Sequence, residues 1–234
     1  IHFIMKRFFF LLSVCATTFF CNAQSRVGTF SIIPKVGVCL SNMTDNDFFI
    51  GGKTTCSPKY KAGFTGGVET EYQLASSLSI SLAALYTMQG CRYLNESGLV
   101  ASSSVNYEGY SNHTVNLHII NVPLTFNYYV AEGLAVKAGV QMGFAIDTNE
   151  KYDVTPFTIK DHTGEHSYGD MVNYDKNTND KYKSVDVSIP LGVSYEYMNV
   201  VVDARYNIGI TKNNKVNDSK SNFFALTVGY KFDM

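Results

Sequence analysis

The chain is short of proline, carries a net charge of only −1, and beyond residue 24 has no apolar run approaching the roughly 20 residues of a membrane-spanning helix. Each shortage excludes something. Near-neutrality argues against a nucleic-acid partner and against strong electrostatic attachment to a membrane surface. The missing apolar run excludes a helical membrane protein. Cysteine is sparse too: after residue 23 only Cys39, Cys56 and Cys91 remain, an odd number that excludes a fully paired disulfide framework. Cys56 falls in a predicted loop and Cys91 at a strand end bordering a loop on the same side. One bridge between them is open, as a staple rather than a catalytic pair.

What is present starts with an export signal. Four residues that read as an upstream reading-frame remnant precede Met5. Then come the basic pair Lys6 and Arg7, an apolar stretch over 8–20, and a small-residue site at Cys21-Asn22-Ala23. This order predicts a secretory signal peptide within 1–23, cleaved after Ala23. An apolar stretch of about 13 residues is too short to span a membrane, and Phe20 is a poor neighbour for a lipidated cysteine at position 21. Residues 24–234 have the size of one domain. An exported chain without a helical anchor is soluble, lipid-anchored or a barrel. The abundance of Tyr (16), Phe (16) and Gly (18) against 5 Pro is a strand-and-turn vocabulary and favours the barrel.

The decisive pattern is alternation, because successive strand side chains point to opposite faces. From residue 224 to 232 the even positions read Phe, Leu, Val, Tyr, Phe, and the odd ones between them Ala225, Thr227, Gly229 and Lys231. Stretches 134–147, 185–197 and 200–211 alternate in the same way, and 80–89 does so more noisily. The full set predicts strands over roughly 30–42, 60–74, 77–92, 115–130, 133–147, 184–198, 200–212 and 221–232. These are longer than the usual strand of five or six residues and match the 9–11 residues of a membrane-crossing strand.

Connections alternate as well. Short turns fall near Ala75-Ser76, Ala131-Glu132-Gly133 and Met198-Asn199, and long polar stretches at about 43–59, 93–114, 148–183 and 213–220. That asymmetry belongs to outer-membrane barrels, whose short turns face the periplasm. The expectation is an all-β, eight-stranded, antiparallel up-and-down transmembrane β-barrel over 24–234, with periplasmic termini and extracellular long loops. Aromatic belts are expected at Tyr72, Tyr128, Tyr197, Tyr230 and Phe232 on the short-turn side, and at Tyr86, Phe144 and Tyr206 on the loop side. A soluble sandwich or lipocalin-like barrel would turn its apolar face inward. Strand length, loop asymmetry and the small or charged opposite face argue against it.

An eight-stranded barrel leaves an interior that side chains fill. The polar face would place Lys35, Glu69, Glu71, Lys137, Glu196, Asp203, Arg205 and Lys231 there. Four acids and four bases in so narrow a space should pair, because isolated buried charges are very costly. A structural ion-pair plug is therefore expected in preference to a proton or ion path.

Catalytic chemistry is hard to find. A hydrolase needs a Ser or Cys with a His and an acid at one rim, and no strained nucleophile turn surrounds any serine near His113, His118, His162 or His166. Asp161, His162, Glu165 and His166 come closest to a metal cluster, but Thr163-Gly164 between the histidines is poor helix material, so a solvated loop is expected. The Asn-x-Ser/Thr triplets at Asn42, Asn95, Asn112 and Asn217 read as loop composition rather than glycan acceptors. No catalytic, cofactor-binding or metal residues are assigned, and no cofactor is expected.

Several segments nonetheless look familiar. Lys35-Val36-Gly37-Val38-Cys39-Leu40-Ser41-Asn42, the stretch from Gly63 to Tyr72, Leu85-Tyr86-Thr87-Met88-Gln89-Gly90, Ile120-Asn121-Val122-Pro123-Leu124 and Asp203-Ala204-Arg205-Tyr206-Asn207-Ile208-Gly209-Ile210 resemble strands of the PorT-like outer-membrane β-barrel family of Bacteroidetes. Leu226-Thr227-Val228-Gly229-Tyr230-Lys231-Phe232 resembles a barrel-assembly signal ending in an aromatic, although Asp233 and Met234 follow it here. Pro123 is expected near a strand start, where a lost ladder hydrogen bond is tolerated. The resemblance implies the barrel and, through the family's namesake, a part in a type IX secretion system. It carries over no catalytic residue. The expected partners are outer-membrane lipid and envelope proteins. A loop-mediated adhesin or receptor is the competing reading, and a pore or enzyme the third.

Overall fold

The structure is a computed structural model that describes residues 26–51, 53–100, 105–159, 164–215 and 217–234. The expected signal peptide and Cys21 lie outside the described residues. Among the described residues fourteen strands follow in order: β1 (Phe30–Thr44), β2 (Phe48–Ile50), β3 (Thr54–Cys56), β4 (Lys61–Ala75), β5 (Leu78–Arg92), β6 (Glu96–Leu99), β7 (Asn106–Ala131), β8 (Leu134–Ile159), β9 (His166–Tyr168), β10 (Val172–Asn177), β11 (Val185–Tyr197), β12 (Val200–Gly209), β13 (Lys220–Tyr230) and β14 (Phe232–Asp233). Eight of them, β1, β4, β5, β7, β8, β11, β12 and β13, form an antiparallel ring of chain neighbours. The ring closes where β13 pairs with β1, from Lys35 opposite Gly229 to Thr44 opposite Lys220. Closure leaves no free edge within the barrel.

The alternation places apolar residues outside and polar ones inside. Val36, Val38, Leu40, Phe126, Tyr128, Val140, Val193 and Val228 are all exposed on the outer wall, while Lys35, Glu69, Thr87, Asn127 and Gln141 are buried. A soluble protein would reverse this. Two-residue turns join β4 to β5, β7 to β8 and β11 to β12. In the last, Met198 and Asn199 both adopt positive φ, 47° and 67°, the I′ geometry that suits a tight hairpin. Both described ends of the chain lie on this side, where the Met234 amide donates to the Phe30 carbonyl at 2.8 Å.

Pro34, Pro123 and Pro190 sit in the barrel portions of the strands, and each coincides with a lapse in one ladder, while Pro156 lies near the far end of β8. The β1 pairing skips Ile33 and Pro34 between its β13 and β14 partners. The β5–β7 pairing skips Val122 and Pro123. The β8–β11 pairing skips Ile189 and Pro190. Proline has no N–H to donate, so the ladder gives way on the side where it would have been needed. Pro123 therefore lies deep in a long strand, not near its start.

The larger correction concerns the loops. Stretches 93–114 and 148–183, expected as loops, contain β6, the first part of β7, the last part of β8, β9 and β10. Strands β7 and β8 run 26 residues each and carry a projecting sheet far beyond the barrel rim. Two bulges explain why alternation did not reveal it. Register shifts between His118 and Ile119 and between Ser111 and Thr114 reverse the inside-outside parity of the strands.

Candidate functional site

The barrel interior is filled in layers. At the level of β4, Glu69 receives hydrogen bonds from Lys35 at 2.7 Å, Lys137 at 2.7 Å and Arg205 at 3.3 Å. Asp203 receives them from the same three bases, at 3.3, 2.9 and 3.2 Å. Nearer the short turns, Lys231 donates to Glu71 at 2.9 Å and Glu196 at 3.0 Å. Glu71 also accepts from Tyr129 at 2.8 Å and Asn127 at 3.1 Å. All eight charged residues read from the sequence thus fall into two clusters, one of two acids and three bases and one of two acids and one base. Tyr129 and Asn127 are missed when only charged residues are read as interior partners, although the parity that puts Tyr128 on the outer wall puts both of them inside.

Small side chains make the space for these long ones. A Cβ on Gly37 would drive into the Leu226 carbonyl, so the interior position between Lys35 and Cys39 has to be glycine.

Above the charges lies a polar layer: Thr65 with Thr87 at 3.0 Å, Gln141 with Asn121 and Ser188 at 3.1 Å each, and Ser221 donating to Gln89 at 2.7 Å. The cavity it encloses, lined by Arg205 and Asn207 among others, is about 10 Å³. That is one water's worth of room, not a conduit.

The loop-side mouth is closed by an apolar cap. Met43, Ile50, Cys56, Cys91, Tyr93, Val115, Leu117, Ile119 and Tyr182 form one buried cluster, with Phe48 and Tyr110 packed on it. The β2–β3 hairpin supplies Phe48, whose ring lies 5.0 Å from both Tyr110 and His113. Asn46 ties the loops together: it donates to Tyr93 Oη at 2.8 Å and its side-chain oxygen accepts from Asn214 at 3.5 Å and Asn217 at 3.2 Å. His113, under the cap, pairs with Glu150 at 2.8 Å, and that hydrogen bond is the main cause holding the Glu150 carboxyl below the usual range. Cys39, Cys56 and Cys91 are all free thiols. Cys56 and Cys91 share the cap as packed apolar groups, not as a bridge, and burial pushes the Cys56 thiol up.

The belt residues sit on the outer wall. Tyr72, Tyr128, Tyr230 and Phe232 are exposed toward the short-turn end, and Phe144 and Tyr206 toward the other. Tyr197 and Tyr86 are half-buried on the same wall, and Tyr86 Oη lies 2.6 Å from His118 Nδ1.

Past the belt the outer face turns polar, then aromatic. Asn116 bonds Asn149 at 2.7 Å, Lys151 bonds Asp175 at 2.9 Å, and Asp153 accepts from Asn112 at 2.8 Å and Asn173 at 2.6 Å. Beyond them Tyr107 stacks on Phe157 with ring centroids 5.2 Å apart, and Phe157 in turn lies 5.5 Å from Tyr168 and 5.8 Å from His166. His166, one of the four residues considered for a metal, is therefore part of an aromatic row, while Asp161 and His162 lie outside the described residues. Among the described residues no three His, Cys, Asp or Glu side chains converge as metal ligands.

The family model for the outer membrane protein beta-barrel domain matches residues 22–215. Solved structures with a similar outline include Ail of Yersinia pestis, at 14% identity and TM-score 0.45, covering 88% of this chain and 100% of that one. Neisserial surface protein A matches at 15% and 0.43, covering 87% and 97%. OprG of Pseudomonas aeruginosa matches at 13% and 0.38, covering 91% and 99%. No curated protein matches the chain by sequence.

Proposed function

The chain belongs to the outer membrane protein beta-barrel domain family, and from that premise we propose that it is a non-enzymatic outer-membrane barrel, structural or accessory to an envelope machine of the type IX kind, which acts through the sheet it holds above the membrane. One observation carries this reading: the lumen is filled by paired charges and capped by four loops, while β7 and β8 continue as an ordered sheet outside it. A barrel sealed in this way has its remaining surface for work on the projecting sheet.

The PorT-like assignment is supported by the strand motifs, among them the Asp203-Ala204-Arg205-Tyr206 segment whose acid and base enter the central charge cluster. Export by a leader within 1–23 and periplasmic termini complete the proposal, in keeping with termini on the side of the short turns. Mild crosslinking in native outer membranes, followed by affinity purification and mass spectrometry, tests it. Reproducible recovery of an envelope protein supports the accessory role. Recovery of the barrel alone counts against it and favours the second reading, a surface-binding protein, which the exposed aromatic row motivates.

A further inference from the structure

On the outward face of the projecting sheet, residues from four strands line up in register across it. Leu99 lies opposite Tyr107, Tyr107 opposite Phe157, and Phe157 opposite Tyr168. One step back toward the barrel the same strands present Ser97, Gly109 and Thr155. The step after that presents Ser111 and Asp153. The result is a trough of about 630 Å³, with Phe157, Tyr168 and His166 along one wall and Ser97, Gly109 and Thr155 on its floor. Tyr168 is 67% exposed.

We propose that this trough binds a saccharide, and that the saccharide is the glycan of the outer-leaflet glycolipids around the barrel. A sugar ring has one apolar C–H face and a rim of hydroxyls. The trough offers the matching pair, an aromatic wall beside a floor of small hydroxyl groups. Other occupants fit less well. No lysine or arginine lines it among the described residues, so a polyanion finds no partner. An acyl chain would leave the Ser97 and Thr155 hydroxyls buried without partners. A second copy of the chain would need an apolar face on the order of 1,000 Å², far more than one aromatic row provides. At the next step Asp153, held below the usual carboxylate range by hydrogen bonds from Asn112 and Asn173, is a charged acceptor for sugar hydroxyls.

Position selects the source. The trough is on the face continuous with the lipid-facing wall, and Phe157 lies about 13 residues beyond the Phe144 belt, roughly 30 Å higher on a tilted strand. That is the zone of glycolipid sugar chains rather than of headgroups. The proposal rests on the extracellular placement of the sheet.

The test uses the full mature chain folded in detergent. Its probes are lipid-free polysaccharide released by mild acid from lipopolysaccharide, and a neutral glycan array. Binding of the lipid-free polysaccharide is expected, with at least about tenfold loss in Tyr168→Ser, which removes part of the wall. Gly109→Gln, which fills the floor while leaving every ring in place, should do the same, since a Cβ there meets only the Thr155 carbonyl at 3.6 Å and the Phe157 ring at 3.8 Å, both ordinary contacts. Both variants should keep the heat-modifiable gel mobility of a folded barrel. Failure of every glycan to bind, or wild-type binding by folded G109Q, would overturn the trough. Surface biotinylation of intact cells separates this from the topology. An external sheet that binds no glycan sinks the trough alone, whereas a periplasmic sheet that binds glycan sinks the glycolipid source and the topology together.

Discussion

Glu69 on β4 and Asp203 on β12, three strands apart around the ring, are tied by the same two lysines, Lys35 and Lys137, at 2.7 to 3.3 Å. The pair thus fastens the two sides of the barrel across its lumen. Each carboxylate also meets Arg205, so neither acid can be lost without leaving buried positive charge unmatched.

Glu69→Gln is therefore expected to destabilise the folded barrel by about 3–5 kcal/mol, the usual cost of breaking a buried pair from one side. Urea titration of the protein in detergent micelles measures this. Replacing Glu69, Lys35 and Lys137 together by apolar residues of similar volume should cost less than the single change. A Glu69→Gln protein as stable as the parent would remove the plug from the account.

The filled lumen also makes an electrical prediction. In planar bilayers the folded chain should show no conductance above the background of the lipid, because the charge clusters, the polar layer and the cap lie in series. Shortening the β2–β3 hairpin removes Phe48, Ile50 and Cys56 from the cap but leaves the charge plug, so this variant should stay closed too. Steady ion flow through the parent would contradict the sealed interior.

The cap should weaken in acid. The Glu150 carboxyl is held below its ordinary value of 4.5, first by its hydrogen bond to His113. A carboxyl depressed in the folded state contributes stability that is present above the ordinary value and is lost as pH falls through the folded one. Corrected for the intrinsic slowing of amide exchange in acid, protection at the amides of residues 46–50 should fall below about pH 4.5, and Glu150→Gln should flatten that dependence. The outcome that tells against the pair is an identical pH profile in the two proteins.

Thiol chemistry checks the cysteines. After unfolding without reductant, the chain from residue 24 onward should titrate three free thiols, Cys39, Cys56 and Cys91. A single thiol would mean that Cys56 and Cys91 are bridged.

The barrel was legible because its outer wall alternates cleanly, and the eight interior charges were legible because they occupy the opposite parity. Legibility failed where parity reversed. The bulges at Ser111–Thr114 and His118–Ile119 bring Tyr107 and Phe157 outside, whereas Val115, Leu117 and Ile119 keep the inward parity of Asn121 and Asn127 and join the cap as apolar residues on an otherwise polar face. Read as sequence, both stretches look like polar loop with scattered aromatics. The cap depends on contacts between residues as distant as Asn46 and Asn217, which no local pattern encodes. Pro123 misled for a related reason: proline marks a gap in one ladder, and the gap fell mid-strand on the β5 side.

The most direct test of the account is single-cysteine labelling of intact cells with a membrane-impermeant maleimide, using Tyr174→Cys on β10 and Asn199→Cys in the turn between β11 and β12. Tyr174 is exposed on the projecting sheet, and Asn199 is exposed at the opposite end of the barrel. The account predicts that the residue-174 thiol labels in intact cells and that the residue-199 thiol labels only after the outer membrane is permeabilised. Labelling at 199 with protection at 174 would invert the barrel, and equal labelling of both in intact cells would contradict a membrane-spanning one.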